Sequence, residues 1–241
     1  MFNMFGKRLE NEKVAREEEF KYWDNELALR GQFADNIKKR IDPKLRREEF
    51  PIGYLELLMP LLDKEFPGKK PFKVIELGSG PISSLAYGVD QGIIDVAAVD
   101  ILGDRYGCLY QKYNLLDFPV KPIQGCGEEL NTLFGEESFH CAFAQNSLDH
   151  VRDIVSSFNN LVSIVKKKGF IILQHAVREG THQKWSSGHQ WDLEMTKNGF
   201  VALNSRGKEI RLQQQASLEF MVIYYSSFEL DRWLNIVFRK T

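Results

Sequence analysis

The chain is poor in cysteine: Cys108, Cys126 and Cys141 are the only three in 241 residues, and no pair has CxxC spacing. An odd, scattered set excludes a disulfide framework and a thiolate zinc site, and leaves reduced thiols. Neither sign of charge is in excess, with 32 basic and 33 acidic residues and a net charge of −1. A general nucleic-acid binder usually carries a clear basic surplus, so no nucleic-acid partner is expected. No apolar run approaches the roughly 18 residues of a membrane helix, and no membrane partner is expected either. The opening "MFNMFGKRLENEKVAREEEF" lacks the long apolar core of a secretion signal, which points to a cytoplasmic protein. Internal repeats and low-complexity segments are absent. Hydrophobic residues make up 43%, enough for a sizeable core.

What is present falls into three stretches. Residues 7–40 are dense in Glu, Lys and Arg, with Leu9, Val14, Phe20, Trp23, Leu27 and Phe33 at helical spacing, which predicts one or two amphipathic helices. They read as helices packed on the main body, or as a lid or dimer arm carrying Tyr22 and Trp23. Residues 41–51 read as a connector and 54–66 as a further helix. From residue 72 strands and helices alternate. "FKVIELG" and "DVAAVDI" are strands, with helices to about residue 91 and over 103–114. A short strand near 121–125 leads to a helical turn at "GEELNTLF". A strand at 139–147, a helix over 151–169 and a strand at 169–176 complete the series. This rhythm predicts an α/β, doubly wound, mostly parallel sheet. After residue 176 "GHQWDLE", "GFVALNS", "LEFMVIYY" and "WLNIVFRK" read as antiparallel strands added to the sheet edge.

The stretch "KVIELGSGPISS" runs from an apolar strand into a glycine turn. In open parallel sheets ligands bind beyond the carboxyl ends of the strands, and Gly78 and Gly80 let a ligand approach the backbone there. Asp100 follows 20 residues after Gly80, placed to hold both hydroxyls of a ribose. Both features suit an adenosine-containing ligand. A dinucleotide site wants a third glycine, and Ser83 stands there instead. Glu76, an acid beside the turn, would repel a pyrophosphate but suits a sulfonium and an ammonium.

Taken with "AAVDI", "IQGCGEEL" and "FHCAFAQNSLDHVRD", the segment "VIELGSG" resembles the ordered motifs of the class I S-adenosylmethionine-dependent methyltransferases over roughly residues 70–176. The resemblance implies a Rossmann-like fold, with residues 1–49 as an N-terminal helical extension or cap and 50–241 as the methyltransferase domain. It implies S-adenosyl-L-methionine as cofactor. Glu76, Gly78, Ser79 and Gly80 would lie at its methionine part, Asp100 at the ribose, and Ile101, Gly127 and Glu128 at the adenine. Gln145 and Asn146 would lie near the transferable methyl. Cys126 stands where many relatives carry an acid, which departs from the pattern. The motif of amino-group methyltransferases after the fourth strand is replaced by "AQNS".

Methyl transfer is an in-line displacement, so the protein mainly positions the acceptor, and a base helps if the acceptor is a hydroxyl. The resemblance implies that His150, beside Asp149, falls at the helix start next to the cofactor, where packing and capping are as good a reading as catalysis. His175, at the end of the fifth strand, is the best single candidate for base or acceptor orientation, and His189 joins them as a third candidate. His140, at the opposite end of its strand, reads as structural. The polar, aromatic loop "HAVREGTHQKWSSGHQWDLE" offers Arg178, Glu179, His182, Lys184 and Trp191 as an acceptor grip, with Tyr22 above. The other reading is a surface loop with Trp185 or Trp191 pinned into the core. The spacing of His175, Glu179, His182 and His189 matches no metal signature, so no metal is expected, although Asp149 could join such a set. The acceptor class that fits is a small polar molecule methylated on oxygen: a sugar, nucleotide-sugar or phosphorylated metabolite. A homodimer stays possible. A silent methyltransferase-like partner subunit and an NAD-dependent oxidoreductase are the rival readings.

Overall fold

The structure is a computed structural model that describes residues 2–49, 52–186, 188–212, 218–219 and 233–241. Its elements run, in chain order, α1 Phe2–Leu27, α2 Ala34–Ile41, α3 Arg46–Glu49, α4 Ile52–Glu65, β1 Phe72–Leu77, α5 Ala86–Asp90 and β2 Ile94–Asp100. Next come α6 Gly107–Lys112, β3 Ile123–Gln124, α7 Leu130–Leu133, β4 Phe139–Gln145, α8 Ile154–Ile164, β5 Val165–Ala176 and α9 Glu179–His182. The chain continues through β6 Trp191–Thr196, β7 Gly199–Asn204, β8 Glu209–Arg211, β9 Leu218–Glu219 and β10 Trp233–Lys240.

Among the described residues seven strands form one sheet in the order β3-β2-β1-β4-β5-β10-β9. β1 is central. It pairs in parallel with β2 from Phe72↔Ile94 to Leu77↔Val99, and with β4 from Val74↔Cys141 to Leu77↔Ala144. Phe72, Val74, Ile75 and Leu77 are all buried, as expected of a strand covered on both faces. Leu58 and Leu62 of α4 cover one face, against Phe72, Phe143 and Phe170. Ile154, Phe158 and Leu161 of α8 cover the other, against Ile75, Ala142 and Ile171. Leu27 and Ile37 of the first two helices share a core with Tyr106 and Leu109. The strand order reverses between β1 and β4, so the C-terminal end of β1 is a topological switch point.

The doubly wound, mostly parallel sheet with an antiparallel C-terminal strand is the fold the sequence led us to expect. Two local expectations are corrected. The helix predicted over 151–169 runs only from Ile154 to Ile164. Asp153 fixes its start by accepting from Val155 N and Ser156 N, each at 3.1 Å. Val165 already pairs with Phe139, and β5 crosses an irregularity in which Lys168 is left-handed at φ 64°. Sheet pairing overrides the lysine-rich helix-end signal.

The tail differs too. β10 does extend the main sheet, antiparallel to β5 from Trp233↔Ala176 to Arg239↔Phe170. β6, β7 and β8 instead form a separate antiparallel sheet. Their alternation puts Leu193, Phe200 and Ala202 on one face, and these pack into the core with Phe158 and Phe238. Face packing of an amphipathic sheet wins over edge pairing. Most of the strand expected in "LEFMVIYY" lies outside the described residues. Among the described residues no helix is long and apolar enough to cross a membrane.

The rings of Phe158, Phe200 and Phe238 meet with centroids 5.8–6.2 Å apart, and all three are fully buried. Phe200→Ala therefore opens a cavity between the small sheet and α8. Urea denaturation should show a loss of about 3–5 kcal/mol.

Candidate active site at the switch point

β1 hands over to a turn in which Gly78 and Gly80 are both left-handed, at φ 71° and 60°. Only glycine adopts this geometry without strain, and crowding adds a second reason. A Cβ on Gly78 would lie 2.2 Å from Ser147 Cβ. The Ser147 hydroxyl in turn donates to Leu77 O at 2.7 Å, which locks the exit of β4 to the exit of β1. A Cβ on Gly80 would lie 2.2 Å from Trp23 Cζ2. The bare backbone is thus in contact with an indole of α1. Ser79 is buried, and its hydroxyl donates to Gly80 O at 2.9 Å.

Two carboxyl groups flank the turn. Glu76 is buried and accepts from the hydroxyls of Ser83 and Ser84. Burial pushes its pKa up to about 7, against the pull of the Ser83 hydrogen bond and of the Arg40 charge. Asp100 Oδ2 accepts from Gly80 N at 2.9 Å, and Oδ1 accepts from Leu102 N at 2.9 Å and Tyr106 OH at 3.1 Å. Burial raises its pKa too, while these bonds pull it back. Ile101 beside it is exposed.

Other residues singled out in the sequence hold the surrounding frame. A Cβ on Gly127 would meet Ser157 at 2.7 Å, and Glu128 accepts from Asp153 N at 2.9 Å, so both position the start of α8. Gln145 bridges Arg40 at 3.4 Å and Gln174 at 3.2 Å. Asn146, left-handed at φ 47°, accepts from Ala176 N at 3.1 Å and ties β4 to β5. Glu19, Arg40 and Ser147 were missed in the sequence. Glu19 accepts from Trp23 Nε1 at 2.8 Å, and the i,i+4 spacing of these two was a readable signal. Arg40 had none, because it reaches Gln145 only through the tertiary fold.

At the other side of the turn the chain gathers imidazoles around one carboxylate. Asp149 and His150 lie on a 3-10 turn after β4, His175 lies near the end of β5, and His189 on the loop before β6. Asp149 Oδ2 lies 2.7 Å from His189 Nδ1 and 3.5 Å from His150 Nε2, while Oδ1 lies 4.0 Å from His175 Nδ1. Burial opposes a charge on Asp149, but His150, His189 and His175 outweigh it and hold the carboxyl at about 2. Burial lowers His175 to about 4 and keeps it neutral. His189 also feels burial, but its bond to Asp149 prevails and its pKa is raised. The side chain of His150 is 33% exposed, against 9% for His189 and 1% for His175, so His150 is the most accessible of the three.

The loop after β5 divides. Gln190 N donates to Asp149 O at 2.8 Å, and Trp191 Nε1 donates to Val151 O at 2.8 Å. Trp191 thereby fastens the loop and packs on the core. Arg178 is committed to a bidentate pair with Glu194, at 2.7 and 3.0 Å. Glu179 and His182 lie on α9, outside the imidazole cluster, with His182 exposed. Tyr22 is exposed on α1, edge-on to Trp23 at 5.3 Å. His140, at the far end of β4, accepts from Lys73 N at 2.9 Å and packs against Phe66 and Phe72.

No protein-family model and no curated protein matches the chain. Solved structures do. A 1,6-didemethyltoxoflavin-N1-methyltransferase from Burkholderia thailandensis, with bound 1,6-didemethyltoxoflavin and S-adenosylhomocysteine, is 17% identical over 78% of both chains, with a TM-score of 0.47. An S-adenosylmethionine-dependent methyltransferase from Mesorhizobium loti is 14% identical over 76% of this chain and 97% of its own, with a TM-score of 0.46. The trans-methyltransferase CalH, in complex with SAH, is 16% identical over 76% of this chain and 55% of its own, with a TM-score of 0.49. Three further matches take in 50–52% of this chain and 44–51% of the matched one. At these values the likeness is weak, and the weight falls on this chain's own strand order and side chains.

The raised pKa of Glu76 fixes a pH dependence. Between about 4.5 and 7 the folded state holds a proton that the unfolded state has released, so this group costs stability as pH rises. Glu76→Gln removes the cost. Urea unfolding at pH 5 and pH 8 should show the variant gaining roughly 2.5 kcal/mol on the wild type between the two.

Proposed function

We propose that the chain is an S-adenosylmethionine-dependent methyltransferase acting on a small polar acceptor, with transfer to oxygen. The observation that carries this reading is the glycine turn at the switch point, flanked by two buried carboxyl groups and lacking a third glycine. A cationic sulfonium and ammonium suit Glu76, a ribose suits Asp100, and a pyrophosphate suits neither. Gly78, Ser79 and Gly80 offer backbone to the methionine part. Ile101, exposed beside Asp100, supplies an apolar wall for adenine, and Gly127 and Glu128 are assigned to the adenine with it. Gln145 and Asn146 border the methyl.

Residues 1–49 act as a cap and 50–241 as the catalytic domain. Support comes from Trp23, which lies against Gly80, and from the pairs Glu17–Arg105 at 2.8 Å and Asp24–Lys112 at 2.7 Å, which tie α1 across the cleft. His150, His189 and Asp149, with His175 behind them, direct the acceptor oxygen. A new O–C bond forms as the C–S bond breaks, its electron pair stays on sulfur to give S-adenosylhomocysteine, and the acceptor proton leaves to water. Preorganised position does most of the work, because the sulfonium is already an excellent leaving group. A sugar, nucleotide-sugar or phosphorylated metabolite suits the exposed polar side chains of Tyr22, His182 and Lys184.

Calorimetry tests this directly. S-adenosylmethionine should bind the wild type and bind Asp100→Asn at least tenfold more weakly, and NAD(H) should bind neither. Binding should also change the tryptophan fluorescence of the wild type, and Trp23→Phe should lose most of that change. Tight NAD(H) binding without S-adenosylmethionine binding, or binding of neither, overturns the proposal.

A further inference from the structure

We propose that Asp149, His150 and His189 form a binding site for a divalent transition metal at the C-terminal end of β4. Among the described residues these three offer ligand atoms that all lie within 4.8 Å of one another. Asp149 Oδ2 is the hub, 2.7 Å from His189 Nδ1 and 3.5 Å from His150 Nε2. Around a metal with bonds of about 2.1 Å, neighbouring ligand atoms lie about 3.0–3.4 Å apart, so small shifts of the two rings complete the set. Two imidazoles and one carboxylate favour zinc, iron, manganese or nickel over magnesium or calcium.

A second observation points the same way. Asp149 Oδ1 and both ring nitrogens of His175 are buried without a hydrogen-bond partner, and Oδ1 faces His175 Nδ1 at 4.0 Å. A simple Asp149–His189 pair would account for one oxygen and one nitrogen and would leave this buried polarity uncompensated. A cation held by Asp149 would complete the bonding of this buried carboxylate, whose Oδ1 has no partner of its own. The frame is also rigid enough for a metal. Gln190 N to Asp149 O at 2.8 Å, Gln190 Nε2 to His150 O at 3.3 Å and Trp191 Nε1 to Val151 O at 2.8 Å pin the His189 loop to the turn that carries the other two ligands. His150 is a third exposed, so further coordination positions can be reached from outside. The ion's role rests on the methyl-transfer reading: an open position takes the acceptor hydroxyl and eases its loss of a proton.

The test uses the full chain, stripped by chelator and dialysed. Zn2+ calorimetry should give one site per chain. His150→Ala should weaken it at least tenfold, as should Asp149→Asn. Glu136→Gln, exposed at the opposite end of β4, should bind like wild type. Co2+ added to wild type should develop the visible bands of a low-coordinate imidazole and carboxylate site, a readout that needs no variant to fold. Zn2+ binding unchanged by His150→Ala and Asp149→Asn, or a Co2+ spectrum no different from the free ion, overturns the site. S-adenosylmethionine calorimetry on the same stripped protein reads the methyl-transfer proposal separately, so either result can fail while the other stands.

Discussion

The bond from Gly80 N to Asp100 Oδ2, at 2.9 Å, joins the exits of β1 and β2. Both residues sit where the two central parallel strands run out of partners, and the bond turns two loose ends into one edge. Asp100 accepts two further bonds from Leu102 N and Tyr106 OH. A single buried carboxylate thus fixes the glycine turn, the start of the next turn and a core tyrosine. Three donors offset much of the desolvation of that charge, which an unpartnered carboxylate at this depth would bear in full.

A similar economy governs the opposite side of the cleft, where Asp149 organises three imidazoles. Here the residues come from three segments, the turn after β4, the end of β5 and the loop before β6. The small sheet of β6, β7 and β8 brings the last of these into place: Leu193 and Phe200 anchor it on α8, and Trp191 fastens its first strand to Val151. An apolar interface far from the cleft therefore decides where His189 stands. α1 closes the arrangement from above, and its Glu19–Trp23 pair holds the indole against Gly80.

Much of the fold was legible because buried parallel strands write themselves as apolar runs. "KVIEL" and "CAFA" admit few other readings when glycine turns and amphipathic helices follow them. The helix expected to reach residue 169 was misjudged for a related reason. Lysines that read as a helix end are equally at home on a solvated stretch of strand, and only pairing of Val165 with Phe139 chooses between them. Candidate site residues split along the same line. Gly78 and Gly80 were readable from local backbone needs, whereas Asn146, Glu128, Arg178 and Trp191 carry polar groups whose partners lie far away in sequence.

The sequence by itself determined the alternation of strands and helices, the position of the glycine turn and the acids on either side of it. Each of these depends on local rules: the two-residue and 3.6-residue periods, and the freedom of glycine at positive φ. Tertiary structure alone decided that Trp23 covers Gly80, that β6–β8 pack as a face and not as an edge, and that His189 joins Asp149 and His150 while His182 stays outside. Those outcomes are contacts between segments 40 to more than 50 residues apart, set by which apolar faces bury one another, and no spacing within one segment encodes them.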